Sequence, residues 1–307
     1  MKKIRVQIPA STTNLGPGFD CLGLALKLYN VVEIEEIKED KVIIEVEGEG
    51  RDEIPRNKKN IIFPAIKSVF DKAEEKFSRV RIREINHIPL CKGLGSSAAT
   101  RLGGIVSASN FLKINLSQGE ILNLATHLEG HPDNAAASLL GGLVMVIPEK
   151  ENFHWIKINL SHKFKIVLAL PEIKVSTEKA REILPQNFSL EDIVFNLSRM
   201  GALIYSLTKG KWEYLSLATE DKLHQPYREI LIPGMKEVME SALSSGAKGA
   251  FLSGAGSGIV ALTEDKEKKI GESMQESFLK KGIKSKIMTL EIDEGGLRIV
   301  KDEGNKR

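Results

Sequence analysis

The chain has 307 residues, enough at about 150 residues per domain for two domains or one large one. With 42% hydrophobic and 28% charged residues it can bury a sizeable core, which excludes a disordered chain. Its 44 basic against 41 acidic residues leave a net charge of +3, too little for a nucleic-acid-binding surface.

Residues Met1 to Ala10 include basic side chains but lack the apolar region, about 7–15 residues long, of a secretion signal. A cytoplasmic location is therefore expected. Ile4–Ile8, Val31–Glu36, Val42–Glu47 and Val80–Ile85 alternate apolar and polar residues, the pattern of half-buried strands. Ile61–Lys76 has helical spacing with Asn60 as its cap. A small-residue helix opens after Gly95 and runs to Leu112, and Ser117 with Glu120 forms a capping box for a helix ending at Glu129. The apolar stretch Ala135–Ile147 falls short of the roughly 20 residues that cross a bilayer. Asn134–Ile147 is accordingly read as one buried element, and no membrane partner is expected. The polar stretch Glu149–Lys163 reads as a seam, giving domains 1–160 and 161–307. Beyond it, Lys165–Pro171 is a continuous apolar strand, and Leu190–Thr208 and Gly234–Ser244 are helices. Strands at Gly249–Leu252 and Gly258–Leu262, a charged helix at Asp265–Lys280 and a strand at Ser285–Leu290 follow. Strands mixed with helices, antiparallel in the first half, define an α+β fold class rather than a doubly wound sheet. Cys21 and Cys91 are too few for a disulfide framework and read as small buried apolar side chains.

The 26 glycines are clustered. One group is Asn14–Asp20 with Gly23, a second Gly93–Ala98, and a third Ser253–Gly258. The second carries the strongest chemical signal. Glycines at a helix mouth expose several N–H groups in one concave turn, and the helix adds about half a positive charge there. An anion such as phosphate can bind such a mouth without basic side chains. A Walker A loop would end in Gly-Lys-Ser/Thr, where this chain has Ser96 and Ser97. Gly93, Gly95 and Ala98 formally match the relaxed dinucleotide fingerprint, but Pro89 makes a poor strand end and no βαβ unit opens the chain. A tight helix entry with close packing is the other reading of this segment.

The three glycine groups, in this order and at these separations, resemble the three motifs of the GHMP kinase superfamily, whose members phosphorylate small metabolites with ATP. The matching segments are Pro9–Asp20, Pro89–Ala99 and Leu252–Gly258. Within the superfamily the details are most similar to the branch that acts on L-homoserine. Besides the first motif, Glu129–Asn134 followed by Gly141 and Gly142, Ser176–Pro185 and His224–Gly234 carry that likeness. The resemblance implies a ribosomal-protein-S5-like N-terminal domain and a ferredoxin-like C-terminal domain with the active site between them. It also implies transfer of phosphate from ATP to homoserine, a step toward threonine, and it allows a homodimer. A sister kinase acting on mevalonate, shikimate or a sugar alcohol, or a non-catalytic nucleotide-binding protein on the same fold, are the competing functions.

The resemblance assigns roles residue by residue. Pro89, Leu90, Cys91, Lys92, Gly93, Leu94, Gly95, Ser96, Ser97, Ala98 and Ala99 would hold the ATP phosphates, supported by Gly254 and Gly256. Asn60 would contact the nucleotide base. Ser97 and Glu129 would ligate Mg²⁺, which prefers oxygen and keeps several waters; alone, Glu129 also reads as a solvated helix-end carboxylate. The homoserine carboxylate calls for guanidinium forks, supplied by Arg181 and Arg228. Its ammonium calls for acceptors, supplied by Asp20, Asp133 and Asn14, with His131 and Asn134 completing the pocket. Thr177 would orient the acceptor hydroxyl. Asp133 is the nearest match to a catalytic base, but in this branch that acid is read as a substrate contact.

Overall fold

The computed structural model describes residues 2–150 and 152–300. Its first sheet is built by the alternating N-terminal segments. β1 (Lys3–Asn14) pairs antiparallel with β2 (Gly18–Glu36), placing Ile4 opposite Ile34 and Val6 opposite Val32. β3 (Val42–Gly48) runs parallel to β4 (Val80–Asn86), which pairs antiparallel with β2. Because side chains alternate across a strand, Val6, Ile8, Val32, Ile34, Ile44 and Ile82 share one buried face. Arg5, Glu33, Arg83 and Glu45 share the other, in ion pairs at 3.3–3.8 Å. The arginines and Glu45 are over one-third exposed and mark the solvent side, with Glu33 buried beneath them.

Four helices cover the apolar face: α1 (Ile62–Lys72), α2 (Ser96–Leu112), α3 (Gln118–Glu129) and α4 (Asp133–Leu140). α1 stops four residues before the expected Lys76. Glu74 turns left-handed at φ 57°, and Phe77 folds back against Phe63 and Phe70. α2 is buried on most sides and lies close to the sheet, because a Cβ on Gly103 would sit 2.5 Å from Val32. The capping box of Ser117 and Glu120 is present.

The buried element expected over Asn134–Ile147 is two elements. α4 ends at Gly141 and Gly142, both with positive φ, and β5 (Leu143–Glu149) leaves in a new direction. The polar seam holds a further strand, β6 (Asn152–Ile158), paired with β5 along its length. Its partly exposed, amphipathic sequence disguises it.

The second sheet is fully antiparallel. β7 (Lys165–Pro171) is followed by α5 (Thr177–Glu182), α6 (Leu190–Lys209), α7 (Leu215–Ala218), α8 (Gln225–Arg228) and α9 (Met235–Ser244). Then come β8 (Gly249–Leu252), β9 (Ile259–Thr263), α10 (Glu267–Lys280) and β10 (Ser285–Leu290). The order β10-β7-β9-β8 is the ferredoxin-like arrangement. The unbroken apolar run of β7 follows from burial on both faces. Val167 and Ala169 pack with Val238, Ile270 and Phe278 of α9 and α10. Ile166, Leu168 and Leu170 join Leu203 and Leu207 of α6 in the core shared with the first sheet.

The division expected at residue 160 falls between β6 and β7. The segment 293–300 crosses back over it: β11 (Arg298–Val300) pairs with β1, and Asp293 accepts from Tyr29 Oη at 2.6 Å. The last described residues therefore belong to the first sheet.

Candidate active site

The three glycine groups meet. At the end of β1, Ser11 N–H donates to Leu94 O at 3.1 Å, and Asn14 Nδ2 donates to Gly254 O at 3.1 Å. Ser253 Oγ donates to Gly93 O at 2.7 Å and lies 2.8 Å from Thr12 Oγ1. Glycine is required at position 93, where φ is +70° and a Cβ would stand 1.7 Å from Ser253 O. These loops line a cavity of about 310 Å³, joined by residues of α4, α5 and α8.

One end of the cavity suits an anion. Gly95, left-handed at φ 68°, precedes Ser96 at the start of α2, with no side chain capping the helix and no acidic residue in its first turn. The helical ladder begins with Ala99 N–H donating to Gly95 O at 2.9 Å. The N–H groups before it have no partner within the helix, and the dipole favours negative charge. Pro89, Leu90, Cys91, Lys92, Gly93, Leu94, Gly95, Ser96 and Ser97 line the cavity with Gly254 and Gly256.

The structure gives several residues named for this end further occupations. Ala98 and Ala99 bury their side chains on α2, so Ala98 offers a backbone N–H alone, whereas Ala99 spends its N–H in the helix. Lys92 Nζ donates to Pro171 O at 2.6 Å and Ile173 O at 2.7 Å, so it fastens the loop to the end of β7; burial lowers its pKa. Asn60 does not line the cavity. Its Nδ2 donates to Pro55 O and Glu84 Oε1, and its Oδ1 accepts from Ile62 N–H, so it shapes the start of α1. Cys91 is exposed with φ 55°, not a buried apolar residue.

Beside the helix mouth, Ser97 Oγ donates to Glu129 Oε1, and Arg101 Nη1 donates to Glu129 Oε2. A carboxylate next to a hydroxyl is a hard-oxygen pair of the kind Mg²⁺ uses when phosphates and water supply its remaining ligands. Among the described residues no cluster of three or more His, Cys, Asp or Glu could hold a metal without such help.

The other end carries charges of both signs. Arg181 on α5 makes a two-pronged pair with Asp20 on β2. Arg228 is 2% exposed and lines the cavity. Its Nε donates to Ala180 O at 3.0 Å, and its Nη1 to Gly254 O at 3.0 Å and His224 Nδ1 at 3.2 Å. Burial, then the neighbouring Arg181, lowers its pKa to about 10. Among the described residues no carboxylate pairs with it, so a ligand carboxylate would meet a cation already stripped of water. Asp133, in the first turn of α4, accepts from His131 Nδ1 at 2.7 Å and from Asn134 N–H at 2.8 Å. Asn134 Nδ2 donates to Ser11 Oγ at 3.0 Å, which leaves its amide structural as well as cavity-lining. Asn14 and Thr177 line the same cavity.

Sequence reasoning missed four residues. Arg101 stands one helical turn beyond Ser97, and His224 four residues before Arg228; both spacings place side chains together on a helix. His224 donates through Nε2 to Gly16 O at 2.7 Å and holds Arg228 with Nδ1. Burial lowers its pKa and so favours the neutral ring this arrangement needs. Asp221 accepts from the His224 and Gln225 N–H groups. Phe19 lies against the His224 ring and both guanidiniums, at 5.3–5.7 Å.

A helix mouth with free N–H groups, a carboxylate beside a hydroxyl and a pocket of opposed charges are features that phosphoryl transfer to a small zwitterion could use. The sequence profile of the GHMP kinases N terminal domain matches residues 60–142, and that of the GHMP kinases C terminal matches residues 203–280. A homoserine kinase of Caldicellulosiruptor bescii is 40% identical over 298 residues, 96% of each chain. One of Petrotoga mobilis is 39% identical over 98% of each chain. The crystal structure of a homoserine kinase from Cytophaga hutchinsonii superposes with a TM-score of 0.88 at 28% identity, covering 98% of both chains. The chain belongs to the GHMP kinase family and, within it, to the homoserine kinases. No described helix is long and apolar enough to cross a membrane.

Proposed function

We propose that the chain transfers the γ-phosphoryl group of ATP to the side-chain hydroxyl of L-homoserine, giving O-phospho-L-homoserine and ADP, a step toward threonine. The observation that carries this reading is one cavity with unpartnered helix N–H groups at one end and Arg181, Arg228, Asp20 and Asp133 at the other. Full-length likeness to homoserine kinases supports it.

The N–H groups of Gly95 to Ala98 receive ATP phosphates, and Gly93 lets the loop lie against Ser253. Ser97 and Glu129 would hold Mg²⁺, which neutralises phosphate charge when bound. Arg228 and Arg181 receive the homoserine carboxylate, and Asp20, Asp133 and Asn14 the ammonium. A zwitterion thus exchanges the internal Arg181–Asp20 pair for two ligand pairs of the same sign pattern. His224 fixes the Arg228 head, and His131 fixes Asp133. Thr177 orients the acceptor hydroxyl. Catalysis rests on in-line positioning and charge neutralisation, with the hydroxyl proton leaving late.

Phosphorus NMR of a mixture of protein, ATP, Mg²⁺ and L-homoserine tests this. A new phosphomonoester signal growing with ADP is expected. Loss of ATP to free phosphate alone, with homoserine untouched, overturns the assignment.

A further inference from the structure

Arg101 is hydrogen-bonded to both side chains assigned to the metal. It follows Ser97 by one turn of α2, so both side chains leave the helix on one face. Its Nη1 donates to Glu129 Oε2 and, at 3.0 Å, to Ser97 Oγ. The Arg101 side chain is 17% exposed and that of Glu129 only 9%. Its Nε is buried with no hydrogen-bond partner. The guanidinium is therefore partly stripped of water and held through one nitrogen, by the same carboxylate and hydroxyl that a divalent ion needs.

We propose that Arg101 is a resident counter-ion that competes with the divalent cation for Glu129 and Ser97, so that the metal enters together with the nucleotide rather than ahead of it. The inference rests on the metal site proposed above. Without nucleotide, an arriving ion must expel a cation whose one carboxylate partner among the described residues is Glu129. With nucleotide present, phosphate oxygens accept the released guanidinium in charge-assisted hydrogen bonds. Metal and nucleotide thereby favour each other, and the coupling is reciprocal. Until then Arg101 shields incoming phosphates from the Glu129 charge.

The test uses Mn²⁺ as the probe, titrated by electron paramagnetic resonance into the full-length protein without nucleotide. Arg101→Gln should bind Mn²⁺ about tenfold more tightly than the unsubstituted protein, the scale on which neighbours of a metal ligand tune its affinity. The gain should vanish in Arg101→Gln combined with Glu129→Gln. With a non-hydrolysable ATP analogue present, the gap between the unsubstituted protein and Arg101→Gln should close. Arg101→Met, which keeps the aliphatic stem, repeats the titration should the glutamine variant fail to fold. Unchanged Mn²⁺ affinity in the folded variant, or a gain that survives Glu129→Gln, overturns the proposal. Homoserine phosphorylation by the unsubstituted protein, measured in parallel, separates the two readings. Turnover with unmoved Mn²⁺ affinity removes only the role of Arg101, whereas absent turnover with moved affinity removes the homoserine assignment.

Discussion

Arg181 and Asp20 meet as a fork across the cavity, Nη1 to Oδ2 at 2.9 Å and Nη2 to Oδ1 at 2.8 Å. They lie 161 residues apart and tie α5 to the start of β2. Both are about one-third exposed, so a zwitterion can reach and replace the pair from the cavity. Arg181→Lys keeps the charge but loses the fork. Its KM for homoserine should rise about 10- to 100-fold, the worth of one charged hydrogen bond at about 1.5–3 kcal/mol. The KM for ATP should stay within about threefold, because the Arg181 fork is assigned to the homoserine carboxylate and not to the phosphates. Steady-state kinetics with either substrate varied checks both; an equal rise in the two values would contradict the placement.

Asp133 accepts two hydrogen bonds from the protein and is 2% exposed, which suits a fixed contact for the ammonium. Asp133→Asn should mainly weaken homoserine binding, raising KM at least about tenfold with a smaller change in kcat. An unchanged KM with a collapsed kcat would restore the reading of Asp133 as a base.

Gly95 has φ +68°, and a Cβ there would lie 2.5 Å from Ser11 Oγ and 2.9 Å from Asn134 Nδ2. Gly95→Ala should cost about 1–3 kcal/mol of stability through the strained backbone. It should also abolish detectable ATP binding by calorimetry, because displacing the mouth of α2 spoils the orientation of its N–H groups. ATP affinity within twofold of the unsubstituted protein would show that the loop does not hold phosphate.

Glu84 in β4 is 1% exposed, and Asn60 is its hydrogen-bond partner. Burial raises its pKa from 4.5 to about 7, opposed in part by Asn60. The folded state therefore holds this proton more tightly than the unfolded chain. The stability it contributes is fully present below pH 4.5 and is lost as pH rises through about 7. Glu84→Gln keeps an acceptor for Asn60 and removes the titration. Its melting temperature should match that of the unsubstituted protein near pH 4.5 and exceed it near pH 8. The gap should be on the order of 3 kcal/mol at most. A gap independent of pH in thermal melts would rule out the ionisation as its cause.

Local patterns carried most of the fold. Period-two alternation placed β1 to β4, and the Ser117–Glu120 box placed α3, because each is decided by residues near in sequence. β6 stayed hidden because its partner β5 lends it order that its own polar sequence does not announce. β11 is three residues long and exists only through pairing with β1 at the opposite end of the chain. At the site, the glycine loops were legible because close approach demands glycine, as Gly93 against Ser253 shows. The occupations of Lys92, Asn60 and Arg101 were not legible. Each depends on which distant oxygen a long or amide side chain reaches: Pro171 for Lys92, Glu84 for Asn60, Glu129 for Arg101.

The most direct test is ADP release by the purified protein with saturating ATP and Mg²⁺, offered L-homoserine, mevalonate, shikimate or galactose in turn. The paired charges in the same cavity as the mouth of α2 predict turnover with L-homoserine and none above background with the three compounds that lack an ammonium group. Turnover with any of those three, and none with homoserine, would contradict the account.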